Sequence, residues 1–103
     1  MKAIAVHPKS RKIGIVEHAA PQLQGDHDVA IRILEVGVCG TDREICAFEY
    51  GMPPAGSDSL VIGHESLGEV MEIGAAVTRV RPGDLVVPMV RRPCGIASCQ
   101  ACG

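Results

Sequence analysis

Aromatic side chains are almost absent from this sequence. It has no tryptophan, one tyrosine and one phenylalanine in 103 residues. Valine (12 residues) and isoleucine (9 residues) supply most of the apolar side chains instead. Branching at Cβ favours extended backbone, and β-branched residues are enriched in strands. The sequence therefore predicts a mainly β domain, without the aromatic side chains on which nucleic-acid bases stack.

An excess of positive charge is also missing. The sequence has 10 basic and 12 acidic residues, which give a formal net charge of −2. Nucleic-acid-binding proteins present a basic surface, so we expect no nucleic-acid partner. The charge is unevenly distributed, with +4 over residues 1–16, −9 over residues 17–75 and +3 over residues 76–103. The acidic middle is either ordinary solvated surface or the surroundings of a bound cation.

Long apolar runs are missing as well. No run approaches the ~20 residues that span a bilayer, and the apolar stretch after Lys2 is too short for a secretory signal. We therefore expect a cytoplasmic protein with no membrane partner. Thiols stay reduced in that compartment, so the five cysteines are interpreted as metal ligands or free thiols rather than as disulfides.

The length allows one small domain. Apolar residues between turn formers predict its strands, which are residues 3–6, 12–17, 29–36, 67–73 and 85–90. The last run is apolar throughout and is predicted to be either a strand buried on both faces or a deep barrel strand. Pro82 and Gly83 occupy the central positions of a type II turn. These elements predict a small, mostly antiparallel barrel or sandwich, and no Gly-x-Gly-x-x-Gly follows any strand.

One short helix is predicted at residues 41–48. Thr41 is followed three residues later by Glu44, which fits the capping-box pattern of a helix N-terminus. Gly51 is placed to end the helix, since glycine readily adopts the conformation that follows a last helical turn.

A first candidate metal site combines Cys39 with His64 and Glu65. Both segments lie in glycine-containing breaks after strands, where a rigid sheet can present side chains to one point. A thiolate, an imidazole and a carboxylate are ligands that Zn²⁺ accepts, and three protein ligands leave a position open for substrate. The alternative from spacing alone is a small buried Cys39 and a surface His64.

A second candidate site is the group Cys94, Cys99 and Cys102. The Cys-x-x-Cys spacing at its end places two sulfurs on one turn, as a zinc knuckle requires. The alternative is three idle thiols, and the group would need a fourth ligand. Cys46 is interpreted as a small core residue of the predicted helix.

Taken together, these segments resemble the zinc-dependent medium-chain alcohol dehydrogenases. The resemblance is carried by Gly-Val-Cys-Gly-Thr-Asp at residues 37–42, Gly-His-Glu at 63–65, Pro-Gly-Asp at 82–84 and the cysteine group. A finer resemblance, to the glucose 1-dehydrogenase branch, is carried by residues 1–6, 41–45 and 87–94. The resemblance implies that residues 1–103 form a partial GroES-like barrel with one short helix, the front part of the catalytic domain, with the Rossmann domain absent.

The resemblance also implies a role for each residue of the first site. Cys39 and His64 would bind a catalytic zinc, and Glu65 would bind it directly or intermittently. Thr41 would relay the substrate proton, and Asp42 would hydrogen-bond the zinc-bound histidine and fix its tautomer. Family members usually space their structural cysteines more closely than Cys94 and Cys99 are spaced here, so a structural zinc at that second site is the weaker expectation.

The activity that the resemblance implies is oxidation of a sugar hydroxyl by hydride transfer to NAD(P). We expect zinc as cofactor, a sugar and a nicotinamide as partners of the longer protein, a homo-oligomer, and no activity from these 103 residues alone. Three other functions stay open. They are another polyol or alcohol dehydrogenase of the superfamily, a stand-alone GroES-like binding module, and a zinc-storage or redox protein that uses the second cysteine group.

Overall fold

The part of the chain that the structure describes folds into two small antiparallel sheets and one helix. The structure, a computed structural model, describes residues 1–90 and 94–100. The elements of this part of the chain are β1 (Lys2–His7), β2 (Lys12–Glu17), β3 (Val29–Gly37), α1 (Gly40–Cys46), β4 (Leu60–Val61), β5 (Glu65–Ile73) and β6 (Leu85–Val86).

The first sheet has the strand order β2-β1-β4. β1 and β2 form a hairpin whose register runs from Lys2 opposite Glu17 to His7 opposite Lys12. β4 pairs with the other edge of β1. As the central strand, β1 supplies Ala5 and Val6, both of which are completely buried.

The second sheet has the order β3-β5-β6, and its longest ladder positions the candidate site. β3 and β5 pair antiparallel from Val29 opposite Ile73 to Gly37 opposite Glu65, with two register shifts on the way. The ladder therefore ends with the last residue of β3 facing the first residue of β5. The candidate site lies at this end of the ladder, where the chain leaves β3 and later enters β5.

The hydrophobic core is small for a chain of this length. Its buried apolar side chains are Ala5, Val6, Ile45 and Val70. The accessible surface is 8257 Å², whereas a compact protein of this mass exposes about 5,500 Å². Many large apolar side chains contribute to the difference, among them Ile15, 73% exposed, and Val38, 77% exposed. Much of the domain's apolar surface is thus available to contact something else.

No helix in the described part of the chain is long and apolar enough to cross a membrane.

The mainly β fold with one short helix is confirmed, and most predicted strands lie where they were expected. The type II turn is also found: Gly83 has a φ of 94°, and the Asp84 N–H donates to the Arg81 carbonyl at 3.0 Å. The prediction for residues 85–90 is wrong. Only Leu85–Val86 forms a strand, and Leu85 is 65% exposed. β6 pairs with β5 along one edge, and an apolar run on that outer strand does not by itself create a second covered face.

The predicted helix N-terminus is wrong by two residues. The cap is Cys39, which has extended backbone, and the acidic residue three positions later is Asp42 rather than Glu44. The reason is a hydrogen bond in which the Cys39 N–H donates to Asp42 Oδ2 at 2.9 Å. Thr41 therefore lies inside the helix. The helix also ends earlier than predicted, at Cys46, and Phe48 has a left-handed φ of 64° before Gly51 is reached.

Candidate metal centre

The backbone brings two distant segments to the same end of the β3–β5 ladder. Cys39 follows β3 by two residues and caps α1 with a φ of −111° and a ψ of −177°. His64 immediately precedes β5, which begins with Glu65. Gly63 makes the break before His64, since its φ of 113° is one that residues with a Cβ rarely adopt.

Three side chains with metal-binding atoms meet at this point. Cys39 Sγ lies 3.1 Å from His64 Nε2. One ligand atom each from Cys39, His64 and Glu65 lie within 4.8 Å of one another. Cys39 and His64 are half-buried, whereas Glu65 is exposed. The group is thus open on the Glu65 side, as a site that admits a further ligand must be.

Asp42 lies behind this group and contacts both of its chain segments. The side chain is only 8% exposed. Oδ2 accepts the Cys39 N–H, and Oδ1 lies 3.3 Å from His64 Nδ1. That contact is not aligned as a hydrogen bond, and within residues 1–90 and 94–100 the buried Oδ1 has no other hydrogen-bond partner. A buried carboxylate oxygen without a donor is costly, so a proton on His64 Nδ1 is strongly favoured.

This arrangement fits a divalent metal ion. A proton on Nδ1 leaves the lone pair of Nε2 directed at the space shared with Cys39 Sγ and the Glu65 carboxylate. Cys39 Sγ and His64 Nε2 lie at hydrogen-bond distance, so they can share the thiol proton when no metal is bound, and a divalent cation would take the place of that proton among the three ligand atoms. Cysteine, histidine and glutamate are ligands of Zn²⁺, and a carboxylate behind a ligating histidine is its usual partner. Among the described residues this is the one group of three such side chains that could hold a metal ion.

Comparison with known proteins assigns the family. The family model of the alcohol dehydrogenase GroES-like domain matches residues 25–103. The chain belongs to this family. The glucose 1-dehydrogenase of Methanocella arvoryzae is 48% identical over an alignment of 103 positions, which covers 99% of this chain and 28% of that protein. The glucose 1-dehydrogenase of Thermoproteus tenax is 47% identical over 90% of this chain and 27% of that protein.

Solved structures of dehydrogenases share the fold. Haloferax mediterranei glucose dehydrogenase, in complex with NADP, Zn and gluconolactone, is 42% identical with a TM-score of 0.75, over 90% of this chain and 25% of that one. Alcohol dehydrogenase TADH from Thermus sp. ATN1 is 30% identical with a TM-score of 0.78, over 99% of this chain and 28% of that one. The predicted resemblance to zinc-dependent alcohol dehydrogenases is confirmed, and the chain spans about a quarter of the length of these relatives.

The helix contains two further residues for which the sequence made a prediction, Thr41 and Cys46. Thr41 is the second residue of α1 and is half-buried, two positions after Cys39. It is not one of the three converging side chains, so its predicted part in proton relay stays a prediction. Cys46, the last residue of α1, is half-buried, so it is less enclosed than the small core residue that was predicted.

The second cysteine group is described only in part. Cys94 is exposed and Cys99 is half-buried, and the Cys99 N–H donates to the Ile96 carbonyl in a turn at 3.0 Å. Cys102 lies outside the described residues. The structural zinc at this site therefore stays a prediction.

An apolar cavity of about 380 Å³ lies beside the metal centre. Asp42 contributes to its wall, and so does Cys46. The remaining lining residues come from both sheets, the helix and the connecting segments beside them: Ile4, Ile13, Val36, Gly37, Val38, Arg43, Ile62 and Gly63. Nothing in the sequence indicates this cavity, because its walls come from segments that meet only in the folded chain.

Proposed function

We propose that this chain provides the zinc-binding part of the catalytic domain of an NAD(P)-dependent dehydrogenase that oxidises a sugar hydroxyl. The observation that carries the proposal is the meeting of Cys39, His64 and Glu65 in front of the buried Asp42. A structural cysteine or histidine has no need of three converging ligand atoms. A catalytic metal needs them, together with an open side.

Each residue has a distinct part in the proposal. Cys39, His64 and Glu65 hold the zinc, which would supply Lewis-acid polarisation of the substrate hydroxyl. Asp42 holds the His64 proton on Nδ1, so that Nε2 keeps its lone pair toward the metal position. Thr41 carries a hydroxyl that can accept one proton while donating another, which suits it to pass the substrate proton outward.

The substrate class and cofactor are proposed from the relatives. Those at 42–48% identity discussed above are glucose dehydrogenases, and one was solved with NADP, Zn and gluconolactone. We infer a sugar substrate and a nicotinamide partner for the protein to which these residues contribute. Residues 1–103 form a partial GroES-like catalytic domain in this proposal. A cytoplasmic location and a homo-oligomeric assembly complete it.

A second candidate is another polyol or alcohol dehydrogenase of the same family. It is supported by the structural likeness to Thermus alcohol dehydrogenase TADH and to Escherichia coli galactitol-1-phosphate dehydrogenase, which is 27% identical with a TM-score of 0.77. Both candidates need the same metal centre. They differ in the alcohol that is oxidised.

Metal analysis tests the centre itself. We expect the purified chain to retain zinc through Cys39 and His64, and His64→Ala to lose it. His27→Ala is the matched control, because His27 is an exposed loop histidine. Zinc that is lost with Cys99→Ser and kept with His64→Ala would contradict the proposal and favour the cysteine knuckle.

A chimera tests the activity and the substrate class. Residues 1–103 would replace the matching region of the Haloferax mediterranei enzyme, and NADP reduction would be followed with glucose, galactitol 1-phosphate and simple alcohols. Glucose-dependent turnover that His64→Ala abolishes is the expected result. A folded, NADP-binding chimera that oxidises only other alcohols would support the second candidate, and one that oxidises none would contradict both.

A further inference from the structure

Gly37 and Glu65 face each other in the last pair of the β3–β5 ladder. Side chains of directly opposed residues stand next to each other on one face of a sheet. Here one of the two has no side chain, and the other fills the space. A Cβ placed on Gly37 would lie 2.8 Å from Glu65 Oε2 and 3.1 Å from Glu65 Cβ. The Glu65 side chain therefore lies across the backbone of its partner strand.

The direction of this side chain matters because its carboxylate belongs to the metal centre. A Glu65 carboxylate oxygen lies within 4.8 Å of the ligand atoms of Cys39 and His64. We propose that Gly37 is a positioning residue for the metal centre: its missing side chain lets the Glu65 carboxylate reach the ligand position. This inference rests on the proposed metal-binding function of the site.

The backbone conformation at residue 37 does not explain why this residue is glycine. Gly63, at the same end of the sheet, has a positive φ that favours glycine, whereas Gly37 lies within β3 and is not among the glycines with positive φ. Alanine could adopt the backbone conformation of residue 37 without strain. What alanine could not do is share its space with the carboxylate of Glu65.

The same distances indicate how a Gly37→Ala chain would relax. Oε2 is at the far end of a flexible side chain, so rotation of Glu65 removes the 2.8 Å contact at little cost. The 3.1 Å contact with Glu65 Cβ asks only for a shift of a few tenths of an ångström. The sheet should survive the substitution while the carboxylate leaves the metal position.

The test is a titration of the 103-residue chain with Co²⁺, with Cys99→Ser present in every variant so that the second cysteine group does not contribute. Co²⁺ has visible absorption bands that report its ligands and geometry. Gly37→Ala should weaken Co²⁺ binding roughly 10–100-fold, as loss of ligand positioning does at metal sites, and should alter the visible spectrum. Gly40→Ala is the control, since a Cβ there meets nothing within 4 Å. The Co²⁺ affinity of Gly40→Ala should stay within about twofold of that of the unchanged chain, a difference as small as the error with which the effects of independent substitutions add. In a Glu65→Ala background, Gly37→Ala should have no further effect.

The outcomes distinguish a failure of the proposed metal centre from a failure of the inference about Gly37. If the unchanged chain shows no thiolate-to-cobalt band, the metal centre and the inference both fall. If it binds Co²⁺ and Gly37→Ala binds equally well, the inference alone falls. It falls too if Gly37→Ala weakens binding as much in the Glu65→Ala background, because residue 37 would then act through the backbone. Loss of the β-sheet circular dichroism in Gly37→Ala would also overturn it, since the carboxylate and not the sheet should yield.

Discussion

Replacing Asp42 by asparagine is predicted to weaken metal binding by changing which nitrogen of His64 carries the proton. The amide oxygen can take the place of Oδ2 and accept the Cys39 N–H. The amide NH₂ then lies at the position of Oδ1, 3.3 Å from His64 Nδ1. A donor at that position favours the histidine tautomer with a bare Nδ1 and a protonated Nε2. The nitrogen that faces Cys39 Sγ would lose the lone pair that a metal needs.

The expected loss in affinity is roughly 10–100-fold, the range seen when the hydrogen-bond partner of a metal ligand is removed. In free energy this is about 1.4–2.8 kcal/mol. Asp42→Asn should also lower the free energy of unfolding by about 1 kcal/mol, because a neutral acceptor replaces a charged one in the helix cap. The two effects have different causes and can be separated by a control.

Asp84→Asn is that control. Asp84 Oδ2 accepts the Arg81 N–H at 2.9 Å, which is the same contact, at the same spacing of three residues, that Asp42 makes with Cys39. Asp84→Asn should lose similar stability in urea unfolding without a change in Zn²⁺ affinity, measured by competition with a chromophoric chelator. Nitrogen-15 NMR of the histidine rings would report the tautomer. Unchanged Zn²⁺ affinity in Asp42→Asn, with the proton still on Nδ1, would refute the reasoning.

Three further predictions concern stability, activity and association. Gly68→Ala should lower the free energy of unfolding by about 1–3 kcal/mol through overpacking, because its Cβ would overlap Ile31 and meet the Arg32 carbonyl at 3.0 Å. In the control variant Gly14→Ala the new Cβ meets nothing within 4 Å, so equal urea midpoints for the two variants would contradict this prediction. The zinc-loaded 103-residue chain with glucose and NADP should show no nicotinamide reduction, because its sequence has no glycine-rich dinucleotide fingerprint. Nicotinamide reduction that His64→Ala removes would show that these residues are active alone. Sedimentation velocity should detect reversible self-association through the exposed apolar surface, and a concentration-independent monomer would argue against it.

The sequence predicted the elements that depend on local patterning. Alternating apolar residues over 29–36 predicted one strand of the central ladder, apolar residues between turn formers over 67–73 predicted the other, and turn chemistry placed the break at Gly83. These signals are local, because each residue's neighbours in sequence decide its face of the sheet.

The sequence did not predict features that depend on a choice between competing local contacts or on segments far apart. The helix cap was assigned to Thr41 because a hydroxyl before an acidic residue is the usual pattern, but the Asp42 carboxylate contacts the Cys39 N–H and moves the helix start. The apolar run at residues 85–90 was assigned to the core, although burial depends on what packs against it. The contact of Gly37 with Glu65 needs the strand register, which the sequence alone does not give.

The position of the metal centre at the end of one ladder has a consequence for how sequences of this family can change length. The centre's geometry depends on the pairing of Gly37 with Glu65 and on the short segments beside that pair. Insertions at residues 19–23 or 52–56 lie outside that pairing, so the chain can change length there without moving the ligands. A single inserted residue within β3 or β5 would turn the following side chains to the opposite face, unless a bulge absorbed it. The two register shifts already present in the ladder are places where such an insertion could be accommodated without moving the ligands.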